Sequence, residues 1–206
     1  MMAIINKLWT TLMYKVYLIP ALLISITLHE LAHGYVAYLL GDNTAKVNKR
    51  LTLNPIRHID FIGFILLLTV GFGWAKPVPI NPNNFKNKKR GIFIVSIAGP
   101  LSNLFFTIIL AILLTRGIVL NEAIHQYLNI LMWYNIVLGM FNLLPIPPLD
   151  GSKILYSILP DKFGSFLVEY ENYFYPILIF LLLTDTIDNV LNSLINFWIK
   201  LLNIII

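Results

Sequence analysis

No cysteine occurs in the 206 residues. That absence excludes disulfides and every thiolate metal site, so any metal bound here must rest on histidine and carboxylate. Charge is scarce too. Only 12% of the residues are Asp, Glu, Lys or Arg, where an average soluble domain has about 25%. Histidine occurs four times. Hydrocarbon fills the space that is left: 58% of the residues are hydrophobic, and mean hydropathy is +0.77. An ordinary soluble domain does not have these proportions, and a membrane protein does. The net charge of +5 then reads as basic loops facing an anionic leaflet, with no nucleic-acid partner. Lys7 and Lys15 bracket a weak apolar stretch with no small-x-small cleavage site behind it, so no cleaved signal peptide is expected. The length suits one domain, and no internal repeat is visible.

A transmembrane helix needs about 20 apolar residues. Residues 16–41 qualify, because Glu30 is the only charge between Lys15 and Asp42. Pro20 falls in the first turns of that span, and Gly41 is a suitable stop. Residues 92–115 form a second span without charge, and 123–144 a third, ended by the prolines of "NLLPIPPLDG". Residues 61–73 are too short to cross with ease. The flanking loops 43–60 and 74–90 are both rich in Lys and Arg, so a segment that dips in and returns keeps both on the cytoplasmic side. Short alternation in 44–53 and 76–81 predicts small strands at the membrane face. Beyond Asp150 the chain turns amphipathic, with Lys153, Asp161, Lys162, Glu169 and Glu171. The apolar stretches 173–184 and 189–206 form either a helical hairpin or one span plus an interfacial helix. The expected fold is therefore an all-α polytopic membrane protein with a bundle of three core transmembrane helices. A re-entrant segment, small membrane-face β-strands and one or two C-terminal helices complete it. The whole chain 1–206 is a single membrane-embedded domain, with its core at 16–152 and C-terminal helices at 153–206.

The chemistry sits in "SITLHELAHGYVAYLLGD", residues 25–42. His29 and His33 are four apart and share a helix face one turn apart. Both can reach one zinc ion, with Glu30 beside it to take a proton from water at the metal. An unpaired Glu in an apolar span costs about 2.5–3.5 kcal/mol even on lenient insertion scales, which argues for compensation by a metal, by partners or by water. A third protein ligand must be a carboxylate or another histidine. His125 falls at the outside end of its helix and is expected in solvent. His58 and Asp60 share an inside loop and read first as interfacial loop residues, with a place behind the ligands or on the substrate side as the alternative for His58. Asp150 is the better candidate: it closes the third span on the face toward which His33 points. A zinc-binding scaffold or a metal transporter is the alternative reading. A transporter, however, would spread its ionisable ligands along a path, whereas these collect near one face.

"HELAHG" (29–34), "AGPLSN" (98–103) and "FNLLPIPPLDG" (141–151) lie in that order on three apolar spans. Together they resemble the site-2 protease family of intramembrane zinc metalloproteases, over residues 16–152. "GFGWAKPVPINPNNF" (71–85) is similar to a compact prokaryotic subgroup without a PDZ domain. The resemblance implies one Zn2+ held by His29, His33 and Asp150, with Glu30 as the catalytic residue. It matches Asn142 to an asparagine that contacts substrate or steadies the tetrahedral intermediate. Gly99, Pro100 and Asn103 match the Gly-Pro-x-x-Asn motif of the central helix, a group taken with Asn142 as substrate-binding. The residues of 99, 100 and 103 alone also allow plain helix packing and a hydrogen bond between helices. The implied partners are a transmembrane protein or peptide substrate and the lipid bilayer, in a multi-pass protein of a prokaryotic cell membrane. Segment 61–73 is expected to take part in gating substrate access.

Overall fold

The computed structural model describes residues 2–70, 73–118, 121–160, 171–184 and 186–206. Every regular element among them is helical. Helix α1 runs Met2–Leu39, α2 Thr44–Val47, α3 Phe61–Val70, α4 Lys88–Thr115 and α5 Glu122–Asn142. Helices α6 Asp150–Ile158, α7 Glu171–Leu183 and α8 Asp188–Ile205 follow. Two helical stretches are long and apolar enough to cross a membrane, Val16–Leu39 and Lys88–Thr115. The bent pair α7 and α8, at 80° to each other, adds a third if it is one span.

Several sequence expectations change here. Helix α1 begins at Met2 rather than near Lys15, which places Pro20 in its interior. It ends as expected, with Gly41 at φ +102°. Helix α5 packs in the core beside α1 and α4, yet it does not qualify as a span by composition. Its 21 residues include Asn129, Asn135, Asn142, His125 and Gln126, which dilute the hydrocarbon. The strands expected at 44–53 and 76–81 are absent; the described residues contain one isolated antiparallel bridge, Ile59 to Ala75. Residues 44–47 are helical instead, because Asp42 Oδ1 accepts from the Thr44 N–H and Oγ1 and so turns the chain. In 76–81, Pro77 and Pro79 have no N–H to offer a ladder. The remaining polar groups find other partners: Arg50 takes the carbonyls of Lys76 and Pro77, and Asp42 takes the Asn81 N–H.

The bridge between Ile59 and Ala75 bears on segment 61–73. Helix α3 has ten residues, a rise of about 15 Å, or half a hydrocarbon core of about 30 Å. Asp60 Oδ1 caps its start by accepting from the Gly63 N–H. On the return, the Lys76 N–H donates to the His58 carbonyl at 3.0 Å. The chain thus leaves and comes back at one place. Residues 71 and 72 of this segment, and 161–170 with Asp161, Lys162 and Glu169, lie outside the described residues.

Helix α4 forms the centre. Its buried face carries Ser96, Gly99, Pro100, Asn103, Leu104 and Thr107, mostly small or polar residues at helical spacing, as in tightly packed membrane helices. Leu104 joins Ile136 and Met140 of α5 and Ile195 and Leu202 of α8 in an apolar cluster. Leu144 and Leu149 pack with Leu178 and Ile187, which ties the link between α5 and α6 to the C-terminal helices.

Candidate metal centre

Three side chains from two distant parts of the chain meet near the C-terminal end of α1. Asp150 Oδ2 lies 3.0 Å from His29 Nε2 and 3.0 Å from His33 Nε2. The two imidazole nitrogens are also 3.0 Å apart. All three residues are buried, and they form the one group of candidate metal ligands found among the described residues.

Hydrogen bonding at the far side of each ring explains this convergence. His33 Nδ1 donates to the Val95 carbonyl at 2.7 Å. His29 Nδ1 donates to Asn103 Oδ1, also at 2.7 Å. The Asn103 Nδ2 donates to the Ser25 carbonyl, which can only accept, so it is Oδ1 that faces the ring. In their neutral form both rings carry their proton on Nδ1, and each Nε2 presents a lone pair. Two lone pairs and a carboxylate oxygen converging at 3.0 Å repel one another unless a cation lies among them. Ligand atoms around a tetrahedral zinc sit about 3.3 Å apart for bonds of about 2.0 Å. The donor set and its spacing fit zinc.

Two glycines make the approach possible. A methyl group on Gly99 would lie 2.3 Å from His33 Nε2 and 2.8 Å from His29 Cε1. The imidazoles thus pack directly on the α4 backbone. A methyl on Gly151 would meet the Leu144 and Leu143 carbonyl oxygens at 2.3 and 2.4 Å. Only glycine lets the start of α6 press against the end of α5, and that contact sets Asp150 in place.

Glu30 is buried beside the two histidines, and its Oε2 accepts the Val78 N–H at 2.8 Å. A cavity of about 730 Å3 opens over His29, Glu30, His33 and Asp150. Its other walls are mainly apolar and include Trp74, Pro77, Val78, Phe141 and Leu149. Asn142 lines this cavity, with its Nδ2 donating to the Leu138 carbonyl. Gly99, Pro100 and Asn103 do not line it. Gly99 lies under the rings, Asn103 holds His29 from behind, and Pro100 is fully buried.

His58 differs from the loop residue expected. It is fully buried, its Nε2 donates to the Thr52 carbonyl at 2.8 Å, and it reaches the cavity wall. The turn Pro55–His58 folds it inward. His125, expected in solvent, is half-buried in the first turn of α5, with Asn129 Nδ2 3.1 Å from its Nδ1. Arg50 was read with the basic loop residues but is buried against the segment that carries Val78. Sequence reasoning also missed Val95, Val78 and Asn135. The first two act through backbone groups, which no residue letter reports. Asn135 stands seven residues before Asn142, two helical turns away on the same face, and that spacing was the available signal.

The sequence matches Peptidase family M50 over residues 17–122 and 115–184. It is 42% identical to YwhC of Bacillus subtilis (strain 168), over 87% of this chain and 86% of that protein. It is 33% identical to a zinc metalloprotease of Methanocaldococcus jannaschii, over 69% of this chain and 34% of that longer protein. It is 28% identical to Rip2 of Mycolicibacterium smegmatis, over 84% of this chain and 69% of that protein. The names of all three carry the words zinc metalloprotease. No solved structure matches.

Proposed function

The chain belongs to peptidase family M50, and from that premise we propose that it is an intramembrane zinc protease whose ion rests on His29, His33 and Asp150. The observation that carries this reading is the mutual 3.0 Å spacing of their ligand atoms, with both Nδ1 protons already given to carbonyl oxygens. When bound, zinc supplies Lewis-acid chemistry, polarising a scissile carbonyl and lowering the pKa of water toward about 7.

The chain's own residues do the rest. The Val78 amide holds Glu30 Oε2, which leaves Oε1 to take the proton of the attacking water and return it to the leaving amine. Asn142, on the cavity wall, is placed to donate to a substrate oxygen. The apolar walls exclude bulk water and suit an extended stretch of a membrane-spanning substrate. A helical stretch would not serve, because its carbonyls are already hydrogen-bonded and shielded. A scaffold or transporter is not favoured, since the candidate ligands among the described residues gather at one point.

The domain is a single membrane-embedded unit, multi-pass, with the metal near the cytoplasmic face. Helix α3 enters and returns on that side. The absence of native cysteine makes this directly measurable. Single cysteines at Val47 and Lys86 should label from one side of sealed vesicles and a cysteine at Ile118 from the other. Labelling of Val47 and Lys86 from opposite faces would overturn the re-entrant reading. The activity itself is tested with a single-span protein substrate in detergent or vesicles. Cleavage should stop on treatment with a zinc chelator and return with added zinc. Cleavage that persists after complete metal removal would reject a zinc protease.

A further inference from the structure

Behind the metal centre, away from the cavity, lies a closed set of buried polar side chains. Ser25 of α1, Asn103 of α4 and Asn135 of α5 are each 0% exposed. Asn135 Oδ1 accepts from Asn103 Nδ2 at 2.8 Å, and Asn135 Nδ2 donates to Ser25 Oγ and to the Leu131 carbonyl, both at 2.8 Å. Ser25 Oγ in turn donates to the Ala21 carbonyl at 2.7 Å. The Leu131, Ala21 and Ser25 carbonyls can only accept, so the direction of every bond is settled. None of the three side chains lines the cavity, so none touches substrate.

The set ends on a ligand. Asn103 Oδ1 is the acceptor for His29 Nδ1. Were the Asn103 amide reversed, its NH2 would face Nδ1, the ring proton would move to Nε2, and the lone pair needed by the metal would be lost. Two acceptors prevent that reversal by holding Nδ2: the Ser25 carbonyl at 3.0 Å and Asn135 Oδ1. A leucine at 135 would be of similar size and would suit the apolar surroundings. An asparagine there, with all its hydrogen-bonding groups engaged, therefore calls for a reason beyond packing.

We propose that Asn135 is a positioning residue of the metal centre, acting through Asn103 to fix the His29 tautomer and present Nε2 to the ion. The inference rests on the zinc reading of the site. Ser25 supports the same arrangement from α1, one turn before His29.

The test is zinc affinity of the purified full chain, measured by competition with a chromophoric chelator, alongside the melting temperature of the metal-free protein. Asn135→Leu should lower zinc affinity by about 10–100-fold, the range for partners that orient a ligating histidine. Thr107→Val serves as the control. It breaks a different, partly buried contact on α4, the Trp198 Nε1 donation to Thr107 Oγ1 at 2.9 Å, and should cost stability while leaving zinc affinity as in the wild type. Equal affinity of Asn135→Leu and wild type overturns the proposal. So does an equal loss in Thr107→Val, which would make the effect general loosening. If Asn135→Leu does not fold, Ser25→Ala decides. It should weaken zinc by up to about tenfold, the lower end of the same range, and an unchanged affinity again overturns the proposal. A wild-type chain that binds no zinc would instead reject the underlying site, so the two failures are separable.

Discussion

Glu30→Gln should abolish peptide cleavage, by about 10²–10⁴-fold, the usual contribution of a positioned general base, while zinc stays bound. The exchange keeps the side-chain shape. The glutamine carbonyl oxygen can still accept the Val78 N–H that Glu30 Oε2 accepts now, so the cavity wall remains seated. What disappears is the carboxylate that takes a proton from water. Neither Glu30 oxygen belongs to the ligand group, which consists of His29, His33 and Asp150. Metal content and turnover of a single-span substrate, measured on one preparation, check both halves of this expectation. Retained turnover would reject Glu30 as the base. Loss of metal together with activity would make Glu30 a ligand.

Asp150→Ala should have the other large effect, on the metal itself. Its Oδ2 is equidistant, at 3.0 Å, from both Nε2 atoms, so alanine removes one corner of the set and its only formal negative charge. Two neutral imidazoles from one helix remain. Zinc affinity should fall by more than about 100-fold, beyond the loss typical of groups that only orient a ligand, and cleavage should fall with it. The replacement keeps helix α6, since Gly151 and not Asp150 makes the close contact with the Leu143 and Leu144 carbonyls. Equilibrium dialysis against buffered zinc measures the effect, and an unchanged affinity would remove Asp150 from the ligand set.

His29, Glu30 and His33 were legible as candidates because helical spacing is strict: residues four apart share a face, and a Glu inside an apolar run must be compensated. Asp150 was legible by elimination, in a chain with no cysteine and four histidines. The second layer was not. The Val95 carbonyl that orients His33 and the Val78 amide that holds Glu30 are backbone groups, and any residue at 95, or any but proline at 78, would supply them. Asn103 reads from sequence either as part of a substrate-binding group or as a hydrogen bond between helices, Asn135 does not stand out at all, and only the fold shows that their chain of bonds ends on His29. Arg50 and His58 misled for the opposite reason. A charged or titratable residue in a basic loop suggests solvent, whereas both are folded inward, against the return segment and the cavity wall. The strands failed because alternation over a few residues is weak evidence, and the prolines at 77 and 79 had already removed the donors that a sheet requires. Helix α5 packs with the core, but its asparagines, among them the Asn135 that bonds Asn103, keep it from reading as a clean span.

The most direct test of the shared coordination is X-ray absorption at the zinc edge of the zinc-loaded full chain, with Asp150→Ala measured beside it. The account predicts a sphere of nitrogen and oxygen neighbours at about 2.0–2.2 Å, with the multiple-scattering pattern of two imidazoles and a carboxylate contribution that vanishes in Asp150→Ala. A wild-type spectrum with a different number of imidazoles, or one that Asp150→Ala leaves unchanged, would contradict it.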